Sequence, residues 1–237
     1  MSSTSTSANV TRYREPVAKP RTPKGRARLV VERLAERYPG TTTELCALEH
    51  KDAFQLLAAT ILSAQCTDAR VNMVTPVLFD AYPDPASLAA ANPEDVEEII
   101  RSTGFFRAKT KSLIGMAGAV ADRYGGEVPR QLEELVTIPG VGRKTGNVVR
   151  SVAFGLPGLA VDTHVLRVSQ RLGLLEGMAP AEQRDAVKVE HKLNALIPAA
   201  ERGAFSLRVI LHGRETCVAR KPRCAACPLA DFCPSIR

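Results

Sequence analysis

The 237-residue sequence predicts an all-α protein. Three observations carry that reading. No segment alternates apolar and polar residues with period two for long enough to demand a strand. Apolar residues recur instead at helical spacing in ten successive stretches separated by short Gly/Pro breaks. Several of those stretches open on helix-start signals, such as Thr67-Asp68, and Pro93 followed by Glu94 and Asp95.

Residues 1–25 read as a disordered basic tail: Ser/Thr-rich, then basic, with Pro16, Pro20 and Pro23. Residues 1–28 carry seven Lys/Arg against Glu15 alone, so +6 of the chain's net +7 lies there and the remainder is about neutral. The basic balance is thus mainly a tail property and does not by itself prove a nucleic-acid groove. A Ser-rich, nearly acid-free start also reads like a mitochondrial transit peptide, but it lacks an amphipathic apolar face. Helices are then expected over Arg26–Tyr38, Asp52–Ala64, Asp68–Ala81, Pro93–Arg101, Arg107–Tyr124 and Arg130–Val136. The Lys144 helix, Thr163–Leu172, Ala181–Leu196 and Gly203–Gly213 complete the set. Asp52–Ala64 is largely apolar and reads as the central helix. No apolar run approaches the roughly 20 residues of a membrane span.

The chain is organised around Leu135–Val149. Pro139 and Gly140 stop one helical pattern, Val141 follows, and Gly142 is expected to turn the backbone tightly before the next helix. A Gly-rich turn opening a helix directs backbone N–H groups and a partial positive charge outward, which suits a phosphate. The segment lacks the Gly-Lys-Ser/Thr ending of a nucleotide P-loop, and no strand precedes it. Beyond the turn, Arg143, Asn147 and Arg150 are expected on one polar face, and Val141, Thr145, Val148 and Val152 on the opposite one. Lys144 falls at the border of the apolar stripe, in the first turn, where both placements act against the ammonium form. A snorkelling surface lysine fits there as well as a functional amine. Asp162, in Val161-Asp162-Thr163-His164, is placed to cap the next helix.

Six cysteines are present, four of them near the end as Cys217-x6-Cys224-x2-Cys227-x5-Cys233. No secretory pattern opens the sequence, which argues against a disulfide framework. Four thiolates so spaced hold either zinc or an iron–sulfur cluster; a single Cys-x-x-Cys flanked by lone cysteines favours the cluster. Cys46 and Cys66 read as buried free thiols.

Pro139-Gly140-Val141-Gly142-Arg143-Lys144-Thr145 followed by Val161-Asp162-Thr163-His164 resembles the helix-hairpin-helix DNA glycosylases, and among them the endonuclease III family. The resemblance covers nearly all of the chain after about residue 25; Gly146 stands where that family usually has Ala. It implies two helical lobes with the active site in the cleft between them: a six-helix domain over 46–156 carrying the hairpin, and a discontinuous cluster domain of 26–45 with 157–237. It implies that Lys144 is the nucleophile and Asp162 assists it. It implies a [4Fe–4S] cluster on Cys217, Cys224, Cys227 and Cys233, and base excision repair of oxidised or damaged pyrimidines, with strand cleavage 3′ to the abasic site by β-elimination. The expected partner is double-stranded DNA carrying such a lesion or an abasic site, met by a monomer with no membrane attachment. The expected location is the cytoplasm of a bacterium, on the nucleoid, with a mitochondrial or nuclear location as the alternative.

For DNA contacts the resemblance implies Pro139, Gly140, Val141, Gly142, Arg143 and Thr145 from the hairpin, with His164. In Ser63-Ala64-Gln65-Cys66-Thr67-Asp68 it places Gln65 in the gap left by a flipped nucleotide, against a simpler reading as a loop residue beside a helix cap. In Gly104-Phe105-Phe106 it places Phe105 as a wedge into the base stack, with Phe106 left to the core. His164 either touches phosphate or orients Asp162, or only makes a local hydrogen bond. Arg220, Lys221 and Arg223 are a solvated basic loop or phosphate contacts. Two rival functions remain: a monofunctional adenine-type glycosylase, which lacks the nucleophilic lysine and uses a Glu near Ser63 or Gln65, and a non-catalytic iron–sulfur DNA-binding protein.

Overall fold

The computed structural model describes residues 20–236, and among them the chain is helical throughout, with no strand. The α-helices are α1 (Pro23–Arg37), α2 (Thr42–Leu45), α3 (Ala53–Leu62), α4 (Asp68–Ala81), α5 (Pro85–Ala89) and α6 (Pro93–Ile100). There follow α7 (Phe106–Tyr124), α8 (Leu132–Leu135), α9 (Arg143–Val152), α10 (Thr163–Arg171), α11 (Ala186–Leu196) and α12 (Arg202–Glu215). No helix of the described residues is long and apolar enough to cross a membrane.

The basic tail expected over 1–25 lies outside the described residues up to residue 19. Its last part is helix: Thr22 Oγ1 accepts from the Gly25 N–H and Pro23 takes the first helical position. Arg26, counted with the tail, is buried and donates to Gly173 O at 2.8 Å. Two helices, α2 and α5, are too short to show a period and rest on capping boxes, Thr41 with Glu44 and Asp84 with Ser87. The single helix expected over 181–196 is broken because Asp185 accepts from Val187 and Lys188 N–H and starts α11 afresh.

Two hydrophobic clusters result. One surrounds α3, which is buried at every position from Phe54 to Leu62, and seals Leu78, Leu88, Ile100, Leu113, Met116 and Leu135. Truncating a sealed leucine there, such as Leu57→Ala, costs about 2–5 kcal/mol. The other cluster joins α1 to α10, α11, α12 and the C-terminal loop through Val30, Leu34, Val165, Val168, Phe205 and Leu229. Helix α12 is the brace between them, packing on α9 and on α10. It comes close by glycine at each end: a Cβ on Gly203 would lie 2.6 Å from Ser151 Cβ of α9, and one on Gly213 2.9 Å from His164 Cβ of α10. Gly146 also has a packing reason. Alanine there favours a helix by about 1 kcal/mol, but its Cβ would lie 2.7 Å from Leu132 Cδ1 of α8.

Candidate active site and cysteine cluster

The hairpin between α8 and α9 closes through Val141 N–H to Ile138 O at 3.0 Å. Gly140 makes the turn, with φ +77° and with Ser112 Cβ only 2.7 Å from where its Cβ would stand. Gly142, expected to make it, has φ −87°, and a Cβ there would meet nothing within 4 Å. Pro139, Gly140 and Gly142 are exposed, while Val141 is buried in the first cluster and offers only its backbone. No side chain caps α9, whose first internal bond runs from Gly146 N–H to Gly142 O. The amides before it are open to an anion.

Lys144, in that first turn, is exposed and makes no hydrogen bond or ion pair with the described residues; Thr145 is half-buried. The polar face expected around it is not a solvent face. Asn147 is 2% exposed. Arg143 forms a two-pronged pair with Glu190 of α11, Nε to Oε2 at 2.7 Å and Nη2 to Oε1 at 2.8 Å. Glu190 is buried, and its hydrogen bonds raise the Arg143 guanidinium above its already high pKa. The guanidinium expected on phosphate is committed to a link between α9 and α11.

Asp162 caps α10, with Oδ1 accepting from the N–H groups of His164 and Val165, both at 2.8 Å. Oδ2 has no partner among the described residues. His164 is pushed below its usual pKa by burial; Asp162 opposes that, and Arg167 and Arg214 add to it. Its Nδ1 accepts from Arg167 Nη2 at 3.0 Å. Arg214 donates to Asp68 Oδ2 at 2.7 Å. The Cys46 thiol is raised chiefly by burial; Asp68 adds to that and Lys144 opposes it.

Two further turns carry the expected wedges. Gln65 and Phe105 are both exposed and both left-handed, at φ 53° and 49°. Phe106 is half-buried, with the guanidinium groups of Arg101 and Arg107 at 5.6 and 5.7 Å from its ring. Neither Cys46 nor Cys66 is fully buried.

Beyond α12 the four remaining cysteines line a cavity of about 380 Å³ together with Arg171 and His212. Arg171 Nη1 lies 3.3 Å from Cys217 Sγ and donates to Val218 O at 2.8 Å, and Nη2 donates to Ala219 O at 2.9 Å. His212 Nε2 is 3.6 Å from Cys227 Sγ.

Residues 58–198 match the HhH-GPD superfamily of base excision DNA repair proteins, and residues 217–233 match the iron–sulfur binding domain of endonuclease III. Endonuclease III of Synechocystis sp. is 50% identical over 213 residues, 90% of this chain and 93% of that protein. The Escherichia coli endonuclease III is 39% identical over 86% of this chain and 92% of its own length. The chain belongs to the endonuclease III family. Among solved structures, a non-covalent endonuclease III–DNA complex superposes with a TM-score of 0.80 at 42% identity, covering 90% of this chain and 95% of that one. A trapped endonuclease III–DNA covalent intermediate superposes equally well at 43% identity, covering 90% and 96%.

The endonuclease III cofactor, a [4Fe–4S] cluster, fits the site. Burial pushes the Cys227 thiol up to about 11 and raises Cys233, and the neighbouring cysteines push both the same way. Such a donor set becomes a set of thiolates only around a cationic centre. All four thiols line one cavity, and the match of residues 217–233 to the iron–sulfur binding domain of endonuclease III favours the cluster over the zinc alternative. Sequence reasoning missed Glu190 and Arg214. Each reaches its partner, Arg143 or Asp68, from a distant part of the chain, and no local pattern announces such a pair.

Proposed function

We propose that the protein removes oxidised pyrimidines from duplex DNA through Lys144 and Asp162 and cuts the strand 3′ to the abasic site left behind. The observation that carries the reading is an exposed, unpaired lysine in an uncapped first turn, together with a carboxylate fixed at a second helix start through one oxygen only. A base inside the duplex hides its glycosidic carbon, so the nucleotide is flipped out, and a damaged pyrimidine makes that less costly. The neutral amine of Lys144 attacks the sugar C1′ as the base departs with the electrons of the glycosidic bond. Opening of the sugar ring gives a Schiff base between Lys144 Nζ and C1′. That cationic imine acidifies the C2′ proton; its loss expels the 3′ phosphate, and water then releases the enzyme. Asp162, held by two amides through Oδ1, presents Oδ2 to the positive charge that grows on the sugar.

The hairpin backbone at Pro139, Gly140 and Gly142, with the open amides of α9, holds a phosphate; Gln65 and Phe105 fill the gap left by the flipped nucleotide. Cys217, Cys224, Cys227 and Cys233 hold the [4Fe–4S] cluster. Excision and β-elimination transfer no net electrons, so the bound cluster serves to fasten the C-terminal loop to α10 and α12. The two hydrophobic clusters support the division into a 46–156 domain and a discontinuous partner. The bacterial relatives favour a bacterial setting over a mitochondrial or nuclear one, and the same proposal has the protein act as a monomer in the cytoplasm, on the nucleoid. Against an adenine-type glycosylase, Ser63–Gln65 offers no Glu. A duplex with one oxidised pyrimidine decides among the readings: strand cleavage is expected, base removal without cleavage would support the adenine-type mechanism, and binding alone would overturn catalysis.

A further inference from the structure

Lys109 is a buried cation that the reaction above does not use. It stands in the first turn of α7 at 5% exposure, where a helix start disfavours an ammonium. Burial lowers its pKa below that of a free lysine. A methionine would fill the same space without the cost of desolvating a charge. What the lysine adds is a hold on the turn before it. Its Nζ donates to Thr103 O at 2.9 Å, and its backbone N–H donates to Phe105 O at 3.1 Å. Thr103 is buried, with its hydroxyl bonded to Ile100 O at 2.8 Å. Between the two clamped carbonyls lie Gly104 at φ 71° and Phe105 at φ 49°.

Gln65, Phe105 and Lys221 are the non-glycine residues with positive φ among those described. Such a residue is strained and persists only where its surroundings enforce it. Phe105 lies in the turn that Lys109 holds and is 67% exposed, so its own packing does not hold it.

We propose that Lys109 is a positioning residue for nucleotide extrusion: its ammonium, bonded to Thr103 O, holds the Phe105 turn in the strained form that enters the duplex. The proposal rests on the reading in which Phe105 fills the gap left by the flipped nucleotide.

The test compares the intact cluster-loaded protein with Lys109→Met and Phe105→Ala on two duplexes, one with an oxidised pyrimidine and one with a pre-formed abasic site. Single-turnover rates are read beside 2-aminopurine fluorescence opposite the lesion, against the low background of a chain without tryptophan. Lys109→Met is expected to slow the base-bearing duplex about tenfold, as one relaxed left-handed turn implies, and to lose most of the fluorescence rise. Borohydride trapping on the abasic duplex should stay within about twofold of the parent, since no base remains to be extruded. Parent-like behaviour on both duplexes overturns the proposal, and so does an equal loss on both, which marks a merely structural role. If Phe105→Ala loses the base-bearing rate and Lys109→Met does not, the role of Lys109 alone fails. If Phe105→Ala changes neither rate nor fluorescence, the wedge reading fails and takes the proposal with it. Melting temperatures check folding; should the methionine variant not fold, Lys109→Gln is judged by the same split.

Discussion

Helices α9 and α10 begin in opposite ways, although both pack on α12 and both carry a titratable side chain at their start. The start of α10 is closed: Asp162 uses Oδ1 on two amides, and a negative charge is welcome at a helix N-terminus. The start of α9 is open: Gly142 has no side chain to cap it, the amides are left for a phosphate, and the residue held there is a lysine. One backbone device therefore holds a carboxylate in place and leaves an amine free. The difference separates two duties. A group that stabilises charge must be fixed before the charge appears, whereas a nucleophile must reach the carbon it attacks.

That contrast can be broken at several points. Among variants that keep Lys144, the largest effect is expected at Asp162. Asparagine keeps the cap, since it is as good an N-cap residue as aspartate, but removes the charge. Asp162→Asn should slow release of an oxidised pyrimidine by about 10²–10³-fold, the scale of losing one preorganised electrostatic contact, with little change in melting temperature. It should still be trapped by borohydride on a pre-formed abasic site. Loss of melting temperature instead would make Asp162 a cap and nothing more.

Next comes the link that joins α9 to α11. Glu190→Gln leaves Arg143 without its counter-charge. Breaking a fully buried pair costs about 3–5 kcal/mol; because the Arg143 side chain is 38% exposed, about 2 kcal/mol is expected, seen as a lower urea midpoint. An unchanged midpoint would show that the pair adds no stability to the joint between the two helices.

The smallest effect is expected at the brace. Gly203→Ala pushes α12 off Ser151 of α9, at an overpacking cost of about 1–2 kcal/mol. Gly213→Ala does the same against His164 of α10. If the open start tolerates displacement better than the closed one, the second variant should lose more base-release rate per degree of melting temperature. Equal losses would remove the distinction.

Features encoded within a few residues were legible from sequence. The break at Pro139-Gly140, the cap at Asp162 and the spacing of the four C-terminal cysteines are local, and the structure assembles each of them. Features that depend on packing were not legible. The partner of Arg143 lies 47 residues away and that of Asp68 146 residues away, so a side chain that reads as solvent-facing on its own helix is taken by another. Gly146 reads as a weakened helix until Leu132 is seen against it. Gln65 and Phe105 carry no intrinsic preference for a left-handed backbone, so their strain becomes visible only in three dimensions.

The central claim is that Lys144 forms the covalent bond to DNA, and borohydride trapping tests it most directly. With a duplex carrying one oxidised pyrimidine, the parent protein should give a stable protein–DNA adduct and a strand cut 3′ to the lesion. Lys144→Gln should lose both, by at least about 10³-fold, while still binding the duplex through the exposed backbone of Pro139, Gly140 and Gly142. An adduct and a cut at parental rates from Lys144→Gln would contradict the account and leave the lysine a surface or phosphate-binding residue.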